Sequence, residues 1–455
     1  MKRSAWRYLW TAEDIRNRLL ITFLLLVIYR FAAHVAVPGV NRSVVSAILA
    51  GTTAGGASQL FGLLDLLSGG TVSSFSVLAM GVYPYITAQI ILQLLVPIIP
   101  RLQKMQEEDP RQAREFMERW TYYLAVPMAA LNAWGQIQIM LQLKTSVSSL
   151  AADNMFTFGP TLGFYSAEAA LGTVTMLLAM TAGTMFAIWL GELISEYGVR
   201  NQGLSLVIFA GIVARLPTNM QTIIADPQNW WKSLLIFLSV MILAVLAIVF
   251  VQQGRRNVPV LYPGRRMGNR QSMPVKGNLP LQVNMAGMIP IIFAQSILTF
   301  PAIIAGFFVA SQTSWVRDVA LGARDLFGGQ SNWYWLLYFL MVVGFTFFYT
   351  DVIFSQQNYG ENLKRAGAQI PGVTRGAPTQ RYLTKVLRRI TLPGAVFLGV
   401  VAVLPFLVTP LIPGAGRLSI LSTGLLIVVG VVRDTFFGLD AELKLRGYDD
   451  SLLVR

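Results

Sequence analysis

The chain has 455 residues, 54% of them hydrophobic and only 13% charged, where soluble domains carry about 25% charged residues. It has no cysteine and a single histidine, His34, which excludes a disulfide framework, thiol catalysis and metal sites built from Cys or several His. The net charge of +14 would suggest nucleic acid in a soluble protein; in a polytopic membrane protein it first suggests Lys- and Arg-rich cytoplasmic loops.

The N-terminal MKRSAWRYLWTAEDIRNR reads as an amphipathic lead-in, followed by a first membrane span over residues 19–37. Arg30 inside that run and the many later spans argue against a cleaved signal peptide. Next come SQLFGLLDL and the stretch LSGGTVSSFS, which breaks the apolar sequence with Gly, Ser and Thr. Such a break is tolerated at membrane depth only where it is buried in protein or lines a water-filled cavity. About 20 apolar residues are needed to span a bilayer as a helix. The further spans are predicted at 77–100, 120–142, 169–190, 203–222, 230–251, 283–310, 333–354, 386–407 and 418–437. That makes ten, and the fifth has the shortest apolar core, LSLVIFAGIVA.

With ten spans, 28 of the 36 basic residues fall on the side of the N-terminus. This asymmetry puts both termini in the cytoplasm of a multi-pass protein of the cytoplasmic membrane. Five spans precede a junction near 226–229 and five follow, so the second half enters the membrane in the opposite sense. The expected fold is therefore all-α, with two inverted five-helix halves at 1–227 and 228–455, and a path at their interface. Two cytoplasmic loops, 252–282 and 355–385, are longer than ordinary connections. They are basic and punctuated by Pro and Gly, which suits projecting hairpins that dock a partner.

No phosphate-binding loop, HExxH, GxSxG or paired intramembrane carboxylate occurs, so no enzyme activity and no cofactor are expected. Arg30, Asp65, Glu192, Glu196, Asp351 and the Arg433–Asp434 pair all lie towards span ends, where snorkelling is enough. What remains is a stripe in the second span: Val82, Ile86, Gln89 and Gln93 recur at helical spacing. The fifth span offers Ile208 and Ile212, the seventh Ile292, Ser296 and Thr299. A stripe that changes from aliphatic to amide suits a water-filled funnel with an apolar constriction. The residues alone also leave open a secondary transporter with inverted repeats, and an insertase or scaffold without a through-pore.

Several long motifs narrow the choice. DLLSGGTVSSFSVLAMGVYPYITAQIILQLL, GTMFAIWLGELISEYGVRNQGLSLVIFAGIVARLP, LPLQVNMAGMIPIIFAQSILTFP and ENLKRAGAQIPGV closely resemble the SecY family, with VAVPGV and LKLRGY in support. The resemblance runs from about Glu13 to Tyr448. It implies the hourglass channel of a protein translocase, which moves unfolded polypeptide across the membrane and releases transmembrane segments into lipid. The partners it implies are SecE and SecG, the SecA ATPase, the ribosome, signal peptides and nascent chains, and the lipid bilayer, with an accessory insertase and SecD/SecF beyond them.

Carried over residue by residue, the family's pore ring falls on Val82, Ile86, Ile208, Ile212, Ile292 and Ile427. Its plug and hinge, about 57–76, include Leu63, Leu64, Leu66, Leu67, Ser68, Gly69, Gly70 and Thr71. Its lateral gate sets Thr87, Ile90, Ile91 and Gln93 against Gln295, Ser296, Thr299 and Phe300. SecA or ribosome docking falls on Arg255, Arg256, Arg265, Arg266, Lys364, Arg365, Thr374 and Arg375. One departure stands out: the family's loop tip reads P-G-[IV]-R-P-G, whereas this chain reads PGVTRG. Thr374 occupies the arginine position and Arg375 follows it, so the expectation is that Arg375 substitutes.

Overall fold

The computed structural model describes residues 13–41, 75–96, 98–146, 167–200, 202–224, 230–262, 266–267, 270–271, 275–308, 313–327, 331, 333–408 and 420–445. The amphipathic lead-in before residue 13, and the plug and hinge up to residue 74, lie outside them.

Helix α1 spans Glu13–Ala32, α2 Tyr83–Leu95, α3 Pro100–Glu108 and α4 Pro110–Ser146; α5 spans Ala167–Tyr197, α6 Gly203–Ile224 and α7 Trp230–Gln253. Strands β1 (Arg255–Tyr262), β2 (Arg266–Met267), β3 (Arg270–Gln271) and β4 (Val275–Gln282) follow. Then come α8 (Ile289–Phe308), α9 (Ser314–Phe327), α10 (Tyr334–Gln356), α11 (Tyr359–Arg365), α12 (Ala377–Val408) and α13 (Ile420–Leu445). Each predicted span overlaps one of these helices. Among the described residues, the stretches Leu171–Tyr197, Tyr334–Arg365 and Ala377–Leu404 are by themselves long and apolar enough to cross a membrane.

Helix is the structure that satisfies every backbone group without water, and hydroxyls inside these helices follow the same rule. Thr22, Thr87, Thr184, Ser296 and Thr346 each donate to the carbonyl four residues earlier, at 2.7–3.1 Å. Starts are marked by proline and an acidic cap: Asp109 Oδ1 accepts from the backbone N–H of Arg111 and Gln112, both at 3.2 Å, ahead of α4. The outer surfaces are apolar. On α7, Leu235, Leu243, Leu246 and Phe250 are 62–81% exposed, and on α1 Phe23 and Phe31 are 69% and 74% exposed. Apolar surface this extensive is a lipid-facing surface.

Several boundaries differ from expectation: the helix of the first span runs 13–32 rather than 19–37, that of the seventh starts only at Ile289, and those of the fourth and tenth continue to Tyr197 and Leu445. The second span is helical only from Tyr83; residues 77–82 form buried turns, with Gly81 at φ 53°. Those turns are held by pairing with the segment after α1: Val77 N–H donates to Val35 O at 2.9 Å and Val37 N–H to Phe75 O at 3.2 Å. Helix α5 passes so close to this strand-like segment that a Cβ on Gly183 would collide with the Val77 carbonyl. The third and ninth spans sit in longer helices, because their amphipathic ends continue past the apolar run. Finally, α9 is an additional helix between the seventh and eighth spans.

Two buried apolar clusters organise the helices. One joins α1, α2, α4, α5, α6 and α13 through residues such as Tyr29, Tyr85, Ala125, Ile188, Val207 and Val431. The other joins α7, α8, α10, α12 and α13 through Ile248, Leu298, Tyr338, Leu398 and Leu426. Helix α13 contributes neighbouring residues to both, and Met288 packs against both. A third cluster lies at the basic end of the bundle, described next.

Candidate functional site

The six positions assigned to a ring fall in two adjoining clusters bridged by Ile86. Val82, at the N-cap of α2, joins Ile208 and Ile212 of α6 and Ile427 of α13 in one cluster, with Ile86 packed against it. Ile292 of α8 packs on Tyr83, and Ile86 touches that pair as well. All are buried except Ile86, which is half-buried. Four helices from distant parts of the chain thus present branched aliphatic side chains to one another. Such a cluster fills a constriction without offering a hydrogen bond to anything passing through it. Gln89, two turns along the same stripe from Val82, is exposed and Gln93 is half-buried, so the stripe passes from packed aliphatic side chains to less covered amides at that end.

Helices α2 and α8 meet beside this cluster. The Tyr83 hydroxyl comes within hydrogen-bonding reach of Ser296 and of Thr87 on its own helix, and that of Tyr349 of α10 within reach of Gln93. The sequence reading named Ser296 and Gln93 but neither tyrosine; a tyrosine in an apolar span needs a partner for its hydroxyl, and that was the available signal. Of the other gate candidates, Ile90 is buried, Ile91 is 37% exposed and Gln295 is buried. Thr87 bonds within its own helix. Thr299 and Phe300 lie on α8, with side chains outside the described set. A narrow apolar cleft opens between the three helices, lined by Ile90, Gln93, Phe293, Phe345 and Tyr349 among others.

At the basic end, the loop predicted over 252–282 is an antiparallel β-hairpin. β1 pairs with β4 from Arg255 opposite Gln282 to Tyr262 opposite Val275. Its alternation buries Val258 and Val260 and exposes Pro259, as a half-covered strand requires. The second loop docks on it: Leu261 N–H donates to Gln369 O at 2.8 Å and Gln369 N–H returns to Leu261 O at 2.9 Å. Val258, Val260 and Leu281 then share a buried cluster with Phe354, Leu363, Ile370 and Leu387. The two loops are therefore one platform, a link that spacing in the sequence did not signal. Tyr359 packs tilted against Phe354, ring centroids 5.2 Å apart, and burial raises its phenol pKa.

The basic candidates differ in their freedom. Arg256 and Arg375 are exposed, while the Arg255 guanidinium lies 5.6 Å over the Phe437 ring. Lys364 and Arg365 both approach Glu361, at 3.6 and 3.8 Å, and remain solvent-facing. Thr374 is exposed, and its carbonyl accepts from Thr379 Oγ1 at 2.7 Å, capping the turn into α12. Arg265 and the Arg266 side chain, like Leu63 to Thr71, are not among the described positions. On the same end, Glu442 of α13 accepts from Arg18 Nη1 at 2.7 Å and lies 3.4 Å from Arg200 Nε. This joins the first helix, the α5–α6 turn and the last helix. The sequence reading counted these arginines only as inside charges.

Comparison with known proteins gives the family. A SecY family profile matches residues 76–436. The protein translocase subunit SecY of Mycobacterium tuberculosis is 36% identical over 96% of this chain and 97% of its own length. That of Streptomyces scabiei is 33% identical over 99% of both chains. Among solved structures, one described as a protein conducting channel superposes with a TM-score of 0.59 at 16% identity, covering 96% of this chain and 93% of its own. Another, at TM-score 0.59 and 17% identity with the same coverage, is described as a SecY protein whose plug domain stabilises the closed channel and maintains a membrane seal. On the strength of the near full-length sequence match, the chain belongs to the SecY family.

Proposed function

We propose that this chain forms the pore of a protein-conducting channel. It moves unfolded secretory polypeptides across the cytoplasmic membrane and lets apolar segments leave sideways into lipid. The observation that carries this reading is that Val82, Ile208, Ile212 and Ile427 share one buried cluster, and Ile86 packs both on it and on the adjoining pair of Ile292 and Tyr83. Flexible aliphatic side chains close round varied segments, and a dewetted constriction limits ion flow.

In this reading ten spans form two inverted halves, 1–227 and 228–455, and both termini are cytoplasmic. Residues about 57–76 act as a plug whose hinge is the stretch LSGGTVSSFS, Leu67–Ser76. The α2–α8 seam is the lateral gate, held by Tyr83–Ser296 and neighbouring contacts. Interhelical hydrogen bonds in membranes contribute about 0.6–2 kcal/mol each, enough to keep a seam shut and little enough for an apolar helix to part it. The chain holds no nucleotide motif, so the drive comes from outside, from SecA or a docked ribosome on the basic platform. There Arg256, Lys364, Arg365 and Arg375 offer exposed charge, and Arg375 stands in for the family's loop-tip arginine. SecE and SecG complete the complex.

The test uses a signal peptide carrying a photo-cross-linker in its apolar core, engaged with the full complex. Cross-links to residues 90 and 296 are expected. Cross-links confined to lipid-facing positions such as 243 on α7 would remove the gate assignment.

A further inference from the structure

Helix α9 carries three faces rather than two. On a helix of about 3.6 residues per turn, Val316, Ala320, Ala323 and Phe327 fall on one stripe. Ala320 is buried, Val316, Ala323 and Phe327 are half-buried, and Phe327 packs against the core that contains α8 and α10. Asp318 and Asp325 lie on the opposite, exposed side, and Arg317, also exposed, flanks it with Nε 4.0 Å from Asp318 Oδ1. The third stripe is Trp315, Val319 and Leu326, within about 40° of one another at that periodicity. It is apolar, yet Trp315 is 68%, Val319 64% and Leu326 36% exposed. The protein covers only half of the apolar arc.

The uncovered half continues a lipid-facing surface. Helix α9 follows α8 and precedes α10, so it lies at the end of both helices opposite the β-hairpin. The last turns of α8 expose Ile304 (41%) and Phe308 (51%), and the start of α10 exposes Trp333 (67%) and Trp335 (41%). Tryptophans gather at the headgroup level of a bilayer, where an amphipathic ring is half apolar and half wet. A helix with an apolar stripe beside a charged one is suited to lie in that plane.

We propose that α9 is an interfacial helix, seated in the headgroup region of the membrane face opposite the basic hairpin, with Trp315, Val319 and Leu326 dipping among the acyl chains. Its protein-facing stripe holds α8 meanwhile, so the lipid interface sets the depth of that helix. The inference rests on the reading that α8 and α10 cross the membrane.

The absence of cysteine permits a direct test. Single-cysteine variants V319C, L326C, D318C and D325C of the full chain carry a nitroxide in vesicles of phosphatidylethanolamine and phosphatidylglycerol. Collision with oxygen is then compared with collision with a water-soluble nickel chelate. L340C, on an exposed position of α10 (57%), reports the span itself. The expected result is oxygen-dominated relaxation at 319, 326 and 340, and nickel-dominated relaxation at 318 and 325. Nickel-dominated relaxation at 319 and 326 with 340 in lipid would overturn the proposal and leave the span intact. Low access to both reagents at 319 would also overturn it, showing a protein partner or second copy on that stripe. Nickel access at 340 would instead remove the spanning reading on which the proposal stands.

Discussion

Replacing Ile292 by asparagine puts an amide into a buried site beside the aliphatic cluster. Ile292 is 3% exposed and packed on Tyr83, with Ile86 and Met288 against the pair. Losing the branched side chain from that packing costs about 2–3 kcal/mol. An amide without partners there adds about 1–3 kcal/mol. A total near 4 kcal/mol weighs against the closed arrangement only, since in an open pore residue 292 meets water. At about 1.4 kcal/mol per decade, the closed-to-open ratio falls roughly a thousandfold. Ion conductance of the reconstituted channel in planar bilayers reads this directly, and I292N should leak where the parent is silent. Ile292→Leu keeps volume and apolarity and should behave as the parent. A folded I292N, with parental helix content and thermal midpoint, that leaked no more than I292L would refute the closed-ring reasoning.

Three further outcomes follow from other contacts. Tyr83→Phe keeps the ring and removes the hydroxyl within reach of Ser296; it should loosen the seam by about 1 kcal/mol and increase export of substrates with defective signal sequences, measured as the processed fraction. Glu442→Gln leaves Arg18 without its 2.7 Å partner, in a site where both side chains are under a quarter exposed. A cost of about 2–3 kcal/mol is expected, seen as a lower thermal midpoint in detergent and as non-additivity with Arg18→Gln; additive effects would dissolve the link. Arg375→Glu, on an exposed turn, should change stability by no more than about 0.5 kcal/mol while SecA-driven transport in inverted vesicles is lost and ribosome binding persists.

The sequence exposed most of the helices because bilayer thickness and backbone satisfaction impose a long apolar run on each. Its errors were at ends. Val77 to Val82 is as apolar as the helix that follows, so hydropathy could not distinguish buried turns pinned to Val35 and Val37 from a further turn of helix. Helix α9 escaped because only part of it is apolar and its three faces appear only once α8 fixes which stripe is covered. At the site, the stripes in the second, fifth and seventh spans were readable from spacing, whereas Ile427 came from family resemblance alone. Tyr83 and Tyr349 were missed because their partners, Ser296 and Gln93, are on other helices, more than 200 residues away for each pair. The Leu261–Gln369 link and the Arg18–Glu442 pair were hidden for the same reason, since nothing local encodes them.

The most direct measurement of the central claim is disulfide trapping of an arrested secretory polypeptide in the full complex. Single cysteines at 86, 212, 292 and 427 are compared with lipid-facing positions 243 and 340, with one cysteine in the arrested chain. If the aliphatic cluster is the constriction of the path, all four ring positions trap the passing chain and 243 and 340 do not. Trapping at 243 or 340 with none at the ring would contradict the account, because the polypeptide would then be crossing outside the cluster formed by α2, α6, α8 and α13.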